Sequence, residues 1–124
     1  MTFEDLREEI KKSISLDDLL LKGYVSYEKE IKIGSHTVIW RVKTLSGQDL
    51  DNSAVRGIVQ VEMFAEPLSL DGDPIDSKKK KEMLENIPDA VWGILRTTYG
   101  VLSSVVNEMV AQASGFTTTP IEEQ

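Results

Sequence analysis

The strongest constraint on this chain is the apolar surface of its last long segment. In residues 88–113, Val91, Leu95, Leu102, Val105 and Met109 recur at alternating four- and three-residue steps, with Thr98 filling the gap. Trp92, Tyr99, Val106 and Ala113 repeat every seven residues, and Ile94, Val101 and Val110 widen the surface. A helix covering one side of a core needs an apolar stripe of only about 100°. Here more than half of the circumference is apolar. Pro88 suits a first helical turn and Gly115 a stop. At about 1.5 Å per residue the helix spans roughly 39 Å, longer than a core of this size requires.

The same helix carries a row of small residues, Gly93, Thr97, Gly100 and Ser104. Two glycines inside a helix cost about 1 kcal/mol each relative to alanine, a loss that close approach of another backbone would offset. The helix is therefore either the centre of a small bundle wrapped by its own neighbours or a helix with one face covered by a second chain. In the second case the partner-binding residues are Trp92, Gly93, Thr97, Tyr99, Gly100, Ser104 and Val106.

With 124 residues the chain has room for one ordinary domain, and its 40% hydrophobic and 28% charged content is that of a soluble globular protein. Fourteen Lys and Arg against 21 Asp and Glu leave a net charge of −7, which disfavours nucleic acid and anionic membrane as partners. The absence of cysteine excludes disulfides, thiolate metal sites and a cysteine nucleophile. The start of the chain is acidic and lacks a long apolar run, unlike a signal peptide. No stretch reaches the 18 or so apolar residues of a membrane span. A cytoplasmic protein is the expectation.

Thr2-Phe-Glu-Asp5 is a helix-start signal, and Phe3, Leu6 and Ile10 follow at helical spacing, predicting a helix over 3–12. Ser15-Leu-Asp-Asp18 repeats the signal with an apolar face of Leu16, Leu19 and Leu20, stopped by Gly23. Both pieces are too short to be stable alone and must dock on something. From Tyr24 the period changes to strand alternation: Val25, Tyr27, Ile31 and Ile33 share one parity. Gly34-Ser35-His36 reads as a tight turn, and Val38, Trp40 and Val42 mark one side of a second strand.

Leu50, Ala54, Ile58, Val61 and Phe64 (or Ala65) then keep helical spacing, although Val55, Gly57, Val59, Val61 and Met63 would also alternate as a strand. Length favours a helix over 47–65, ended by Pro67. Leu68-Ser-Leu70 is a short extended piece and Asp71-Gly-Asp-Pro74 a turn. Asp76 or Ser77 caps a helix over 77–86 with Met83, Leu84 and Ile87 on its face. The fold class is thus α+β and mostly helical: short N-terminal helices, one antiparallel β-hairpin, then three helices with a long one last. The expected organisation is a single domain over 1–114, made of a short helical leader (1–23), the hairpin (24–45) and a helical part (46–114), followed by a tail (115–124).

No chemistry-bearing constellation emerges. Asp71, Asp73 and Asp76 do not follow the calcium-loop pattern, because glycine is second and Ile75 holds the fifth position. Lys78, Lys79, Lys80 and Lys81 spread around a helical turn among acidic neighbours, as a solvated helix start does. His36 has no acid partner fixed nearby in sequence and reads as an exposed turn residue. Carboxylate pairs such as Glu8-Glu9 and Asp17-Asp18 suit helix first turns and polar faces. Phosphate-loop, dinucleotide and nucleophile-elbow motifs are missing. No catalytic residue, cofactor or metal is expected.

Read as segments, the chain resembles the small tail assembly chaperones of tailed bacteriophages. The resemblance lies in a Leu-rich leader and a hairpin ending in Trp40-Arg-Val-Lys-Thr-Leu-Ser46, then a helix and the phrase Leu70-Asp-Gly-Asp-Pro-Ile-Asp76. A short charged helix and Asn86-Ile-Pro-Asp-Ala-Val-Trp92 lead into the long helix with Tyr99 and Leu102. It covers order and pattern over residues 15–112. It implies a non-enzymatic, mostly helical protein of the infected cell's cytoplasm that binds the apolar tape measure protein and keeps it soluble until the tail tube forms. Other tail proteins or a second copy of the chain are further expected partners. The alternative expectation is a structural subunit of the virion, at the tail tip or baseplate, with the same face buried permanently.

Overall fold

The computed structural model describes residues 2–45 and 61–113. Helix α1 (Phe3–Ser13) starts as its signal requires: Thr2 Oγ1 accepts from the Asp5 N–H at 3.1 Å, and Asp5 Oδ2 accepts from the Thr2 N–H at 3.2 Å. Two otherwise orphaned donors are satisfied reciprocally. The Thr2 N–H, with its hydroxyl, holds the Asp5 carboxyl below the ordinary carboxylate range. Leu6 and Ile10 point into the core. Helix α2 (Asp17–Lys22) ends at Gly23, whose φ of 80° is a left-handed cap. The expected apolar face of α2 does not dock as a unit. Leu19 packs partly on the core, but no residue of α2 is buried and Leu20 and Leu21 are 88% and 80% exposed.

The hairpin is the first half of a four-stranded antiparallel sheet in the order β1-β2-β3-β4. Strands β1 (Ser26–Ile33) and β2 (His36–Lys43) pair through Tyr27↔Val42, Lys29↔Trp40 and Ile31↔Val38. Tyr27, Ile31, Val38, Trp40 and Val42 all face inward, and burial pushes the Tyr27 phenol up to about 12, with the Glu9 carboxylate adding to the shift. On the opposite face Glu28, Arg41 and Glu66 stand in one row across three strands, and Arg41 ion-pairs with Glu66. The turn itself occupies Gly34 and Ser35, so His36 opens β2 instead of completing the turn.

Most of the helix expected over 47–65 lies outside the described residues. Its end is a helical turn, α3 (Val61–Phe64), but Ala65 starts a strand where the pattern predicted the helix to continue. Strand β3 (Ala65–Leu70) runs through Pro67, and β4 (Asp73–Pro74) pairs with its last residues. The helical part expected over 46–114 therefore contains two strands. Proline is tolerated here because β4 pairs only with Ser69 and Leu70, and because the β2–β3 register shifts between Ile39 and Trp40, the residue opposite Pro67. Edges and bulges are where a strand accommodates a missing N–H. The β3–β4 turn has Asp71 at φ 51° and Gly72 at φ 89°, the paired left-handed conformation of a two-residue hairpin loop.

Helix α4 (Ser77–Glu85) is capped by Asp76, whose Oδ1 accepts from the Lys79 N–H at 2.8 Å. It buries none of its residues, but Met83 and Leu84, with Ile87 beyond it, pack against the core from the side. The long helix α5 (Asp89–Ala113) lies along the inner face of the sheet with α1 beside it. Ile10, Val25, Val42, Phe64, Leu95, Leu102 and Val105 form the sealed centre. Trp40 is also buried, and its indole N–H has no hydrogen-bond partner among the described residues.

Candidate interaction face on the long helix

Helix α5 divides lengthwise. Val91, Leu95, Thr98, Val101, Leu102, Val105 and Val106 are buried against the sheet and α1, and the Thr98 hydroxyl donates to the Ile94 carbonyl at 2.8 Å, so its polarity is absorbed within the helix. Trp92, Arg96, Thr97, Gly100 and Ser104 are exposed. Large apolar side chains border this uncovered side: Trp92 and Ile94 are each 39% exposed, and Phe3, reaching over from α1, is 66% exposed.

Helix α1 is tied to the uncovered side near its far end. Arg7 donates to Ser104 Oγ at 3.3 Å and ion-pairs with Glu108, and Lys11 Nζ lies 3.8 Å from the same carboxylate. The Arg7 guanidinium holds the Glu108 carboxyl below its ordinary range, with Lys11 contributing. Contacts advance along both helices together, so the two run in the same sense. At the other end they part around a groove of about 520 Å³, walled by Phe3 and Leu6 of α1 and by Gly93, Ile94 and Thr97 of α5, with Lys29 of β1 at one side. Further along α5, Gly100, Ser103, Ser104 and Asn107 line a more polar depression.

The seven residues expected to meet a partner separate on this geometry. Trp92, Gly93, Thr97, Gly100 and Ser104 fall on the uncovered side or its groove. Val106 is buried within the protomer, and the Tyr99 ring packs 4.5 Å from that of Phe64 at an interplanar angle of 30°. Both face inward because a seven-residue step drifts slowly around a 3.6-residue helix, carrying the Trp92 stripe across the boundary of the core. Phe3 and Ile94 complete the groove. Phe3 was legible as part of an amphipathic helix, but nothing local placed it beside Ile94. Among the described residues, no atom of a neighbouring segment lies within 4 Å of where a side chain would begin at Gly93 or Gly100. Among the described residues, nothing offsets the loss of helix propensity at these glycines.

A second polar site was hidden from local reading. His36 Nδ1 lies 2.6 Å from Asp71 Oδ2, and Asp71 Oδ1 accepts from the Thr37 N–H at 2.8 Å. The acid partner is 35 positions away and arrives through the β2–β3 register. The contact with His36, then the Thr37 N–H, holds the Asp71 carboxyl below the usual carboxylate range. Both side chains are exposed, and their bonds pin the β3–β4 turn to the start of β2. Asp71 and Asp76 are thus engaged in turn and cap bonds, and among the described residues no group of three or more metal-ligating side chains comes together. Of the lysine run, Lys78, Lys79 and Lys81 are exposed and Lys80 reaches Glu66 at 3.2 Å. No described helix is long and apolar enough to cross a membrane.

No protein-family model matches the chain, and no curated protein or solved structure is significantly similar to it.

Proposed function

We propose that the chain is a non-enzymatic tail assembly chaperone of a tailed bacteriophage, which binds the tape measure protein in the host cytoplasm and keeps it soluble before the tail tube forms. The observation that carries this reading is the uncovered side of α5: a groove of about 520 Å³ flanked by the exposed Phe3 and Ile94. An apolar, helical client presents side chains at the spacing such a groove accepts, which is helix-in-groove recognition. The resemblance of its order of segments to that of the tail assembly chaperones is what suggests that client. The net charge of −7 favours a soluble complex.

The test is co-expression with the tape measure protein. The client moves from the pellet to the soluble fraction with the wild-type chain, and does so less with Ile94→Glu, which puts a charge on the groove wall. A client equally insoluble with and without the chain overturns the reading. Mass spectrometry of purified virions adds a second arm: stoichiometric presence of the chain replaces the chaperone by a structural tail-tip or baseplate subunit.

A further inference from the structure

We propose that two copies of the chain pair in parallel along α5, each inserting Trp92 into the other's α1–α5 groove. At 3.6 residues per turn the line through Gly93 and Gly100 divides the uncovered side of the helix. Thr97 and Ile94, with the groove, lie on one flank of that line. Arg96 and Trp92 lie on the other, at almost matching angles. A two-fold axis parallel to α5, in front of the glycine line, exchanges the flanks and keeps the height along the helix. It therefore brings the half-exposed Trp92 of each copy to the groove of the other, at the level of Gly93 and Ile94. A surface that carries both the projecting ring and the hollow is self-complementary, as a two-fold interface requires.

The same operation matches charge. Glu4, in the first turn of α1 next to Phe3, and Arg96, in contact with the Trp92 ring at 5.2 Å, are both exposed, and neither has an ion pair among the described residues. Of the nearby acids, Asp5 is held by Thr2 and Glu8 by Lys11. Exchanging the flanks sets each Arg96 against the first turn of α1 in the other copy, where Glu4 stands. An antiparallel pairing would instead set each flank against itself and keep Arg96 away from the other copy's α1. Along the axis Gly93 faces Gly93 and Gly100 faces Gly100, one heptad apart, where the missing side chains permit a close backbone approach that no described residue of the protomer uses. The pairing fills the groove when no client does, so client capture requires the pair to open; it rests on the shape and charge of the face, not on the identity of a client.

Sedimentation equilibrium of the full chain tests it. The wild type dimerises, Trp92→Ala and Arg96→Glu each weaken the dimer about tenfold or more, and the double variant Arg96→Glu/Glu4→Arg recovers most of the loss. Circular dichroism melts of these surface variants stay near that of the wild type. A wild type that remains monomeric across the concentration range overturns the pairing, even if the groove binds the tape measure protein. A dimer indifferent to both single changes, or one that the charge swap does not restore, overturns it as well.

Discussion

The two sides of α5 share one backbone but not one composition: the inner is aliphatic apart from Thr98 and closed, while the outer mixes Trp92 and Ile94 with Arg96, Thr97, Ser104 and two glycines and stays open. On the inner side Leu95, Leu102 and Val105 have no exposed surface. On the outer side Trp92 and Ile94 keep more than a third of theirs, and Gly93 and Gly100 face open space. The inner side must therefore set the stability of the fold, while the outer side is free to be shaped by what meets it. Substitutions along the two sides should separate these roles.

The largest effect belongs to the inner side: Leu102→Ala should lower the free energy of unfolding by about 2–5 kcal/mol in a denaturant titration, because the sealed site cannot collapse onto a smaller side chain. Gly100→Ala should do the reverse on the outer side, stabilising the chain by about 1 kcal/mol, since a Cβ there meets nothing. The bulkier Gly100→Leu sharpens the contrast. It should leave the melting temperature close to wild type while weakening client capture and self-pairing. A matching loss in both would mean the row is packed inside the protomer.

A smaller effect follows from the tie between the sides. Glu108 has its carboxyl held below the ordinary range by Arg7, so its contribution is present above the unfolded value and disappears as the pH falls through the folded one. The difference in melting temperature between wild type and Glu108→Gln should therefore be seen near neutrality and vanish at acidic pH. Smallest of all, changing Lys78, Lys79, Lys80 and Lys81 together to Gln should leave client solubilisation nearly intact. A strong defect would move the functional surface from α5 to α4.

Much of the described architecture was legible because single residues settle local questions. Thr2 and Asp5 announce α1, Gly23 ends α2, and the parity of Tyr27, Ile31, Val38 and Trp40 defines the hairpin. The inner stripe of α5 was readable for the same reason: Val91, Leu95, Thr98, Leu102 and Val105 repeat at helical spacing. What failed depended on distant partners. Pro67 looked like a helix stop, and only the bulge opposite it and the shortness of β4 make it acceptable in a strand. The inward turn of Tyr99 depends on Phe64, and the acid beside His36 depends on how β3 registers with β2. The groove required knowing that α1 returns to α5, which no local spacing encodes.

That return has a kinetic consequence. Arg7 and Glu108 are 101 positions apart, and Arg7 and Ser104 are 97 apart, so the surface on which α1 settles is synthesised long after α1 itself. Until it emerges, Leu6 and Ile10 lack the cover of α5, and the groove does not exist. Contacts between such distant positions form slowly, after much of the loop-closure entropy has been lost. A nascent chain of this kind is unable to engage a client through the α1–α5 groove until α5 has emerged and α1 has closed onto it.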